Sequence, residues 1–179
     1  MFADTLKTQR LVLRSPTEDD VERIVELLNN WDVVKNLALA PYPYRRAHAE
    51  EFLVRSKMRK KTADAAVYAI TFDDGLLGII SVAPQSRGPN LGYWLGEPYW
   101  GQGIMTEAVG AVVAAFFGPI ANQLLTSGIF LGNDASLAVQ RKLGFDIVGE
   151  SSAMCVARGA EVRHVDTALS RERYEELQS

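Results

Sequence analysis

The chain has 179 residues, of which 47% are hydrophobic and 23% charged, with a formal net charge of −3. Such a length suffices for one sizeable core, and the charge gives no basic excess that would argue for nucleic acid as a partner. No apolar run approaches the roughly 20 residues of a membrane span, and the start MFADTLKTQR lacks the apolar centre of a signal peptide. A single cysteine (Cys155) rules out an internal disulfide, and with only His48 and His164 a zinc site is not expected. The expectation is a cytoplasmic protein with residues 1–179 as one domain, no metal and no membrane partner.

In chain order, Leu11–Arg14 is a short strand stopped by Ser15-Pro16. Thr17 caps a helix with Asp19 and Asp20 in its first turn and Val21, Ile24, Val25 and Leu28 at helical spacing. Asn29-Asn30 ends it. Residues 31–39 form a second short helix, broken by Pro41-Tyr42-Pro43-Tyr44, and residues 46–61 form a third with a basic C-terminal end that suits the helix dipole. Residues 65–71 and 76–82 alternate as strands, joined as a hairpin by Asp73-Asp74-Gly75. Residues 92–95 carry Tyr93 and Trp94, which suit a pleated strand. Strands follow at 124–131, 145–150 and 162–169, with 151–160 as a loop or extra edge strand and a short helix from Ser170.

Two segments carry chemistry. In the first, Gly101 and Gly103 flank Gln102 and let the backbone turn sharply against a ligand, and an alanine-rich helix follows from Thr106. Its first amides lack internal partners and lie at the positive end of the dipole, a place for a phosphate or pyrophosphate. In the second, Asn133 or Asp134 caps a short helix that ends at Gly144.

With TQRLVLR near the start and LGYWL before the glycine turn, these segments stand in the order of the GCN5-related N-acetyltransferases, the GNAT superfamily. The chain resembles most closely its RimJ/RimL-like branch of ribosomal-protein N-terminal acetyltransferases, from about Thr8 to Leu169. The resemblance implies an α/β (α+β) fold. Its twisted, mostly antiparallel sheet would have six to seven strands, a central splayed parallel pair and helices on both faces. It also implies acetyl-CoA as cosubstrate. The backbone at Trp94 and Leu95 would meet the pantetheine arm. The turn at Gly101 and the amides of Gln102, Gly103, Ile104, Met105 and Thr106 would cradle the pyrophosphate. Asn133 would contact the pantetheine amides, with Ser136 near the sulfur. The acceptor would lie against Trp31, Asn36, Leu37, Tyr42, Tyr44 and Tyr93, although the aromatic residues beside prolines read equally as loop packing.

The sequence departs from the family pattern in three places. Trp100 and Met105 bracket the glycine loop, so an arginine contact to phosphate is missing; Gln140 stands where many members have a tyrosine acid, and Asn90 where a glutamate is common. Ser136 is the remaining group to assist thiolate departure, and Glu97 or His164 to serve as base, each with a bland alternative as an exposed turn or strand residue. An α-amine has a pKa near 8 against about 10.4 for lysine, so an α-amine or another weakly basic amine is the easier acceptor. A peptide N-terminus, an antibiotic, a polyamine or a small metabolite all remain open, as does monomer against homodimer. Two other readings stand beside acetyl transfer. One is a non-catalytic acyl-CoA-binding or sensor module. The other is an unrelated mononucleotide domain, for which no Gly-x4-Gly-Lys-Ser/Thr run is present.

Overall fold

The computed structural model describes residues 2–59, 65–73, 75–118 and 123–179. Its strands are β1 (Thr5–Lys7), β2 (Val12–Arg14), β3 (Ala66–Phe72), β4 (Gly75–Gln85), β5 (Gly88–Leu95), β6 (Leu124–Phe130), β7 (Asp146–Cys155) and β8 (Ala160–Ser170). Its helices are α1 (Val21–Leu28), α2 (Trp31–Val34), α3 (Arg46–Arg59), α4 (Ile104–Phe117), α5 (Asp134–Lys142) and α6 (Arg171–Glu176). The strands form one sheet in the order β1-β2-β3-β4-β5-β6-β8-β7. Among the described residues every strand pairing is antiparallel except β5 with β6.

The sheet has eight strands where six to seven were expected. The addition is β1, whose three residues are too few to show an alternation, and β7 runs on through the segment left as a loop or edge strand. β4 and β5 are longer than the pattern suggests, because Pro84 and Pro89 read as strand breakers. They sit opposite one another in the β4–β5 hairpin, and the β3 ladder has already stopped at Val82, so Pro84 faces no donor demand on that side. α2 is only one turn, and the expected hairpin turn includes Asp74, which lies outside the described residues, as do Lys60 and Lys61 of the third helix.

Two cores flank the sheet. Leu91, Tyr93 and Leu95 of β5 point to the face covered by α4, whose Val109, Val112, Phe116 and Phe117 are almost fully buried. Burying a side chain of that size contributes about 1.5–3 kcal/mol. Trp94 points to the other face and packs with Ile24 and Leu27 of α1 and Leu53 of α3. Entry into α1 is fixed by Asp20, whose carboxylate accepts from the Thr17 amide at 2.7 Å and from both Arg14 terminal nitrogens at 2.8 Å. Burial works to raise the Asp20 carboxyl, but these bonds outweigh it and hold the group below the usual range.

Candidate active site

β5 and β6 are bridged only at Asn90 and Thr126, although β5 continues to Leu95 and β6 to Phe130. Past that bridge the two strands splay. The strand alternation turns the backbone groups of Leu91, Tyr93 and Leu95 into the gap. The Leu91 carbonyl is closed by the Ser127 hydroxyl at 2.8 Å, and the Leu95 carbonyl by the Trp100 indole N–H at 2.8 Å. The Tyr93 backbone therefore faces the opening between them. The Trp94 carbonyl turns the other way, toward β4, where a Cβ on Gly78 would collide with it. This corrects the expectation for Trp94: of the expected pair only Leu95, joined by Tyr93, presents its backbone to the splay.

A buried polar chain runs behind the splay. Thr167 donates to Gln140 Oε1 at 2.7 Å, and Gln140 Nε2 donates to Ser127 Oγ at 2.8 Å, which in turn reaches the Leu91 carbonyl. Gln140 is 1% exposed, so a side chain that cannot titrate occupies the place expected for an acid and ties α5 to β5, β6 and β8.

At the wide end of the splay, Gly101 and Gly103 have φ of +73° and +75°, a region that L side chains rarely adopt. Gly103 is the N-cap of α4 and Glu107 makes the first bond back to it, which leaves the amides of Ile104, Met105 and Thr106 without helical partners. Gln102 turns its side chain away, donating to the Pro98 carbonyl at 3.0 Å. The loop is clasped from the N-terminal segment. Arg10 donates to the Gln102 carbonyl at 3.2 Å and to Glu107 at 2.7 Å, and Thr8 donates to Glu107 at 2.5 Å. Burial pushes the Glu107 carboxyl up, but the Thr8 and Arg10 bonds together hold it below its ordinary value.

The glycine loop and the splay open into a cleft of about 950 Å³. On the α5 side, Asn133 caps the helix by accepting from the Ser136 amide at 3.3 Å. Ser136 Oγ donates to the Tyr93 hydroxyl at 2.9 Å, and that phenol donates to the Ser136 carbonyl at 3.2 Å. Burial raises the Tyr93 pKa against the opposing bonds from Ser136 and Gln140, so the phenol stays protonated at neutral pH.

Trp31, Asn36 and Leu37 line the far end of the cleft, together with Glu97, which accepts from Asn30. Tyr42 stands behind Trp31, its ring edge-on at 5.4 Å, and is not part of the lining. Tyr44 is 6% exposed and belongs to the core under α1 and α3, where burial pushes its pKa up to about 12. His164 is not brought to the cleft either. Its Nδ1 lies 2.9 Å from Asp166, and its ring covers Gly128, where any Cβ would collide with it. Asp166 also accepts from Ser151 at 2.9 Å and Arg87 at 3.0 Å. Burial works to raise the Asp166 pKa, but these partners hold it below the usual carboxylate range. Tyr42, Tyr44 and His164 thus fall outside the cleft, since strand and loop neighbours claim them first. Among the described residues no group of three or more His, Cys, Asp or Glu side chains could hold a metal ion.

A sequence model described as the acetyltransferase (GNAT) domain matches residues 10–146. The chain is a GNAT acetyltransferase. An uncharacterized N-acetyltransferase of Schizosaccharomyces pombe is 32% identical over 162 residues, covering 80% of this chain and 85% of the relative. The ribosomal-protein-serine acetyltransferase of Escherichia coli is 25% identical over 118 residues, covering 63% and 66%. The structure of Mycobacterium smegmatis RimJ with CoA-disulfide superposes with a TM-score of 0.83 at 18% identity, covering 98% of this chain and 90% of that one. Within the family this GNAT chain falls with the RimJ/RimL-like branch.

Membership makes the chain an acyl-CoA-dependent acetyltransferase with acetyl-CoA as cosubstrate. Its donor set fits that molecule: free helix amides suit a pyrophosphate, and an open strand edge suits an amide-bearing arm. Two residues of this GNAT site were not legible as such. Arg10 reaches the glycine loop across more than ninety positions of sequence. For Tyr93 the sequence predicts an acceptor wall, and only strand alternation plus the α5 contact reveals its hydroxyl beside Ser136. No helix among the described residues is long and apolar enough to cross a membrane.

Proposed function

We propose that this chain, acting as one cytoplasmic domain over residues 1–179, transfers an acetyl group from acetyl-CoA to a primary α-amine by direct attack in a ternary complex. The observation that carries the reading is the continuity of one cleft from the glycine loop, past the Tyr93–Ser136 hydroxyls, to the Trp31 and Leu37 wall. Acetyl-CoA supplies an activated thioester. In this reading the amides of Ile104, Met105 and Thr106 hold its pyrophosphate, while Asn133 and the backbone edge at Tyr93 and Leu95 hold its amide arm. The Tyr93 amide is the candidate oxyanion donor, since the Tyr93 backbone faces the open part of the splay beyond the Asn90–Thr126 bridge. Tyr93 and Ser136 form a paired hydroxyl; in this reading the phenol, protonated at neutral pH, exchanges its bond to the Ser136 carbonyl for one to the leaving sulfur.

An α-amine needs little help to lose its proton, having a pKa near 8 where lysine has about 10.4. Glu97, at the acceptor end and bonded by Asn30, offers the route by which the released proton leaves through water. The non-catalytic sensor reading rests on Gln140, which cannot donate a proton to a thiolate, and on Asn90, which cannot act as a base. Tyr93 supplies a phenol from β5 instead and so favours turnover. The amine itself, whether on a ribosomal protein, the substrate class in the E. coli relative's name, or on a small molecule, is open to a screen.

Calorimetric titration with acetyl-CoA tests the placement. Wild-type protein should bind in the micromolar range, and Gly103→Val should lose at least about a hundredfold in affinity, because a β-branched residue at φ +75° forces the loop to rearrange. Equal affinity in the folded variant removes the cosubstrate from this loop.

A further inference from the structure

We propose that Arg158 selects amine acceptors that carry a carboxylate; the inference rests on the acetyl-transfer reading of the same cleft. Arg158 sits at the tip of the β7–β8 hairpin, which is latched onto the turn after α2. There Val156 donates its amide to the Ala38 carbonyl at 3.0 Å, and the Cys155 thiol lies 3.5 Å from the carbonyls of Lys35 and Leu37. Arg158 Nε donates to the Lys35 carbonyl at 2.8 Å, and its guanidinium carbon lies 5.7 Å from the centre of the Phe130 ring. Two contacts thus fix the plane of the guanidinium, and the side chain lines the acceptor end of the cleft.

Of the neighbouring charges, Lys35 holds Asp32 at 2.5 Å, and Glu97 accepts from the neutral Asn30 and keeps its charge. No ion-pair partner is found for Arg158 among the described residues, and its two terminal nitrogens are the donors it has left. A pre-oriented fork of that kind matches the two oxygens of a carboxylate. A single cation, with the neighbouring Lys35 neutralised by Asp32, suits one negative charge better than a phosphate dianion. The carboxylate could be an acidic side chain near a peptide N-terminus or the α-carboxylate of a free amino acid.

Initial-rate assays of CoA thiol release, with full-length protein and matched pairs of acceptors, separate these sources. One pair is a blocked-C-terminus tetrapeptide with aspartate or asparagine at its second position; the other is serine against ethanolamine, whose amines are of similar basicity. Wild type should favour the acidic member of at least one pair by about tenfold or more in kcat/KM. Arg158→Gln should bring that ratio near one, and Arg158→Lys, which keeps the charge without the fork, should leave it in between. If Arg158→Gln fails to fold, a several-fold drop in the ratio for Arg158→Lys carries the same meaning. A wild-type ratio near one on both pairs, or a ratio unchanged in a folded variant, overturns the role of Arg158 while turnover leaves the acetyl-transfer reading standing. Absence of turnover on every amine, with acetyl-CoA still bound, overturns that reading and this inference with it.

Discussion

The two ends of the cleft are built on different principles. The cosubstrate end is backbone: two glycines at positive φ, three helix amides without partners and a strand edge left open by the splay. The acceptor end is side chains gathered from α2, the turn before α4 and the tip of the β7–β8 hairpin. A backbone site depends on conformation and so tolerates sequence change wherever that conformation is kept. A side-chain site depends on which residues distant segments happen to deliver. The first kind can be recognised from a short motif, and the second only once the chain is folded.

Substitutions should divide along the same line. After Gly103→Val, the largest effect expected is at the junction of the two ends. Tyr93→Phe removes the phenol but keeps its packing, and should lower kcat about a hundredfold with little change in acetyl-CoA affinity, the range of a lost proton donor. Ser136→Ala should do part of the same, and an unchanged kcat in both under chemistry-limited conditions dismisses the hydroxyl pair. Arg10→Ala unclasps the glycine loop, so it should weaken acetyl-CoA binding about tenfold and leave kcat at saturation nearly as it was. That clasp has a pH sign. The Glu107 carboxyl is held below its ordinary value, so its contribution is complete above the usual carboxylate pKa and fades as pH falls through the lowered one. Acetyl-CoA affinity in wild type should therefore fall as the pH drops through that lowered value, and the Arg10→Ala protein, which lacks the clasp, should show no comparable fall.

Effects confined to the acceptor end should be smaller. Trp31 is 43% exposed, and Trp31→Ala should raise the acceptor KM about three- to fivefold while acetyl-CoA titrates as before. A parallel loss of acetyl-CoA affinity would show that the ends are not separable. The smallest effect belongs to His164→Gln, expected to change kcat/KM less than about twofold at any pH, because the ring lies over Gly128 and is turned to Asp166. A lost acidic limb in the pH profile would restore His164 as a base.

What was legible in the sequence follows the same contrast. The glycine loop, the α4 start and the Asn133 cap are signals spread over a few consecutive residues, and the structure keeps each in its expected element, with α4 beginning at Ile104, two residues before the expected Thr106. Gln140 was seen as a departure, but its purpose, a buried bridge from Thr167 to Ser127, needs three strands to be in place. Tyr42 and Tyr44 lie two residues apart, yet one flanks Trp31 while the other fills a core, a division set by the path of the loop and not by residue type. Arg10 and Arg158 carried no local mark at all. Each matters because a remote carbonyl, of Gln102 or of Lys35, fixes its side chain.

One measurement tests the central claim, that a single cleft runs through the splay and joins both ends. A conjugate in which CoA sulfur is bridged by an acetyl unit to a peptide α-amine would be titrated calorimetrically into wild type, Gly103→Val and Trp31→Ala. The account predicts that it binds at least about a hundredfold tighter than CoA, since linking converts the second binding event into an intramolecular one, and that each variant weakens it. Affinity no better than that of CoA, or indifferent to Trp31, would contradict a continuous cleft.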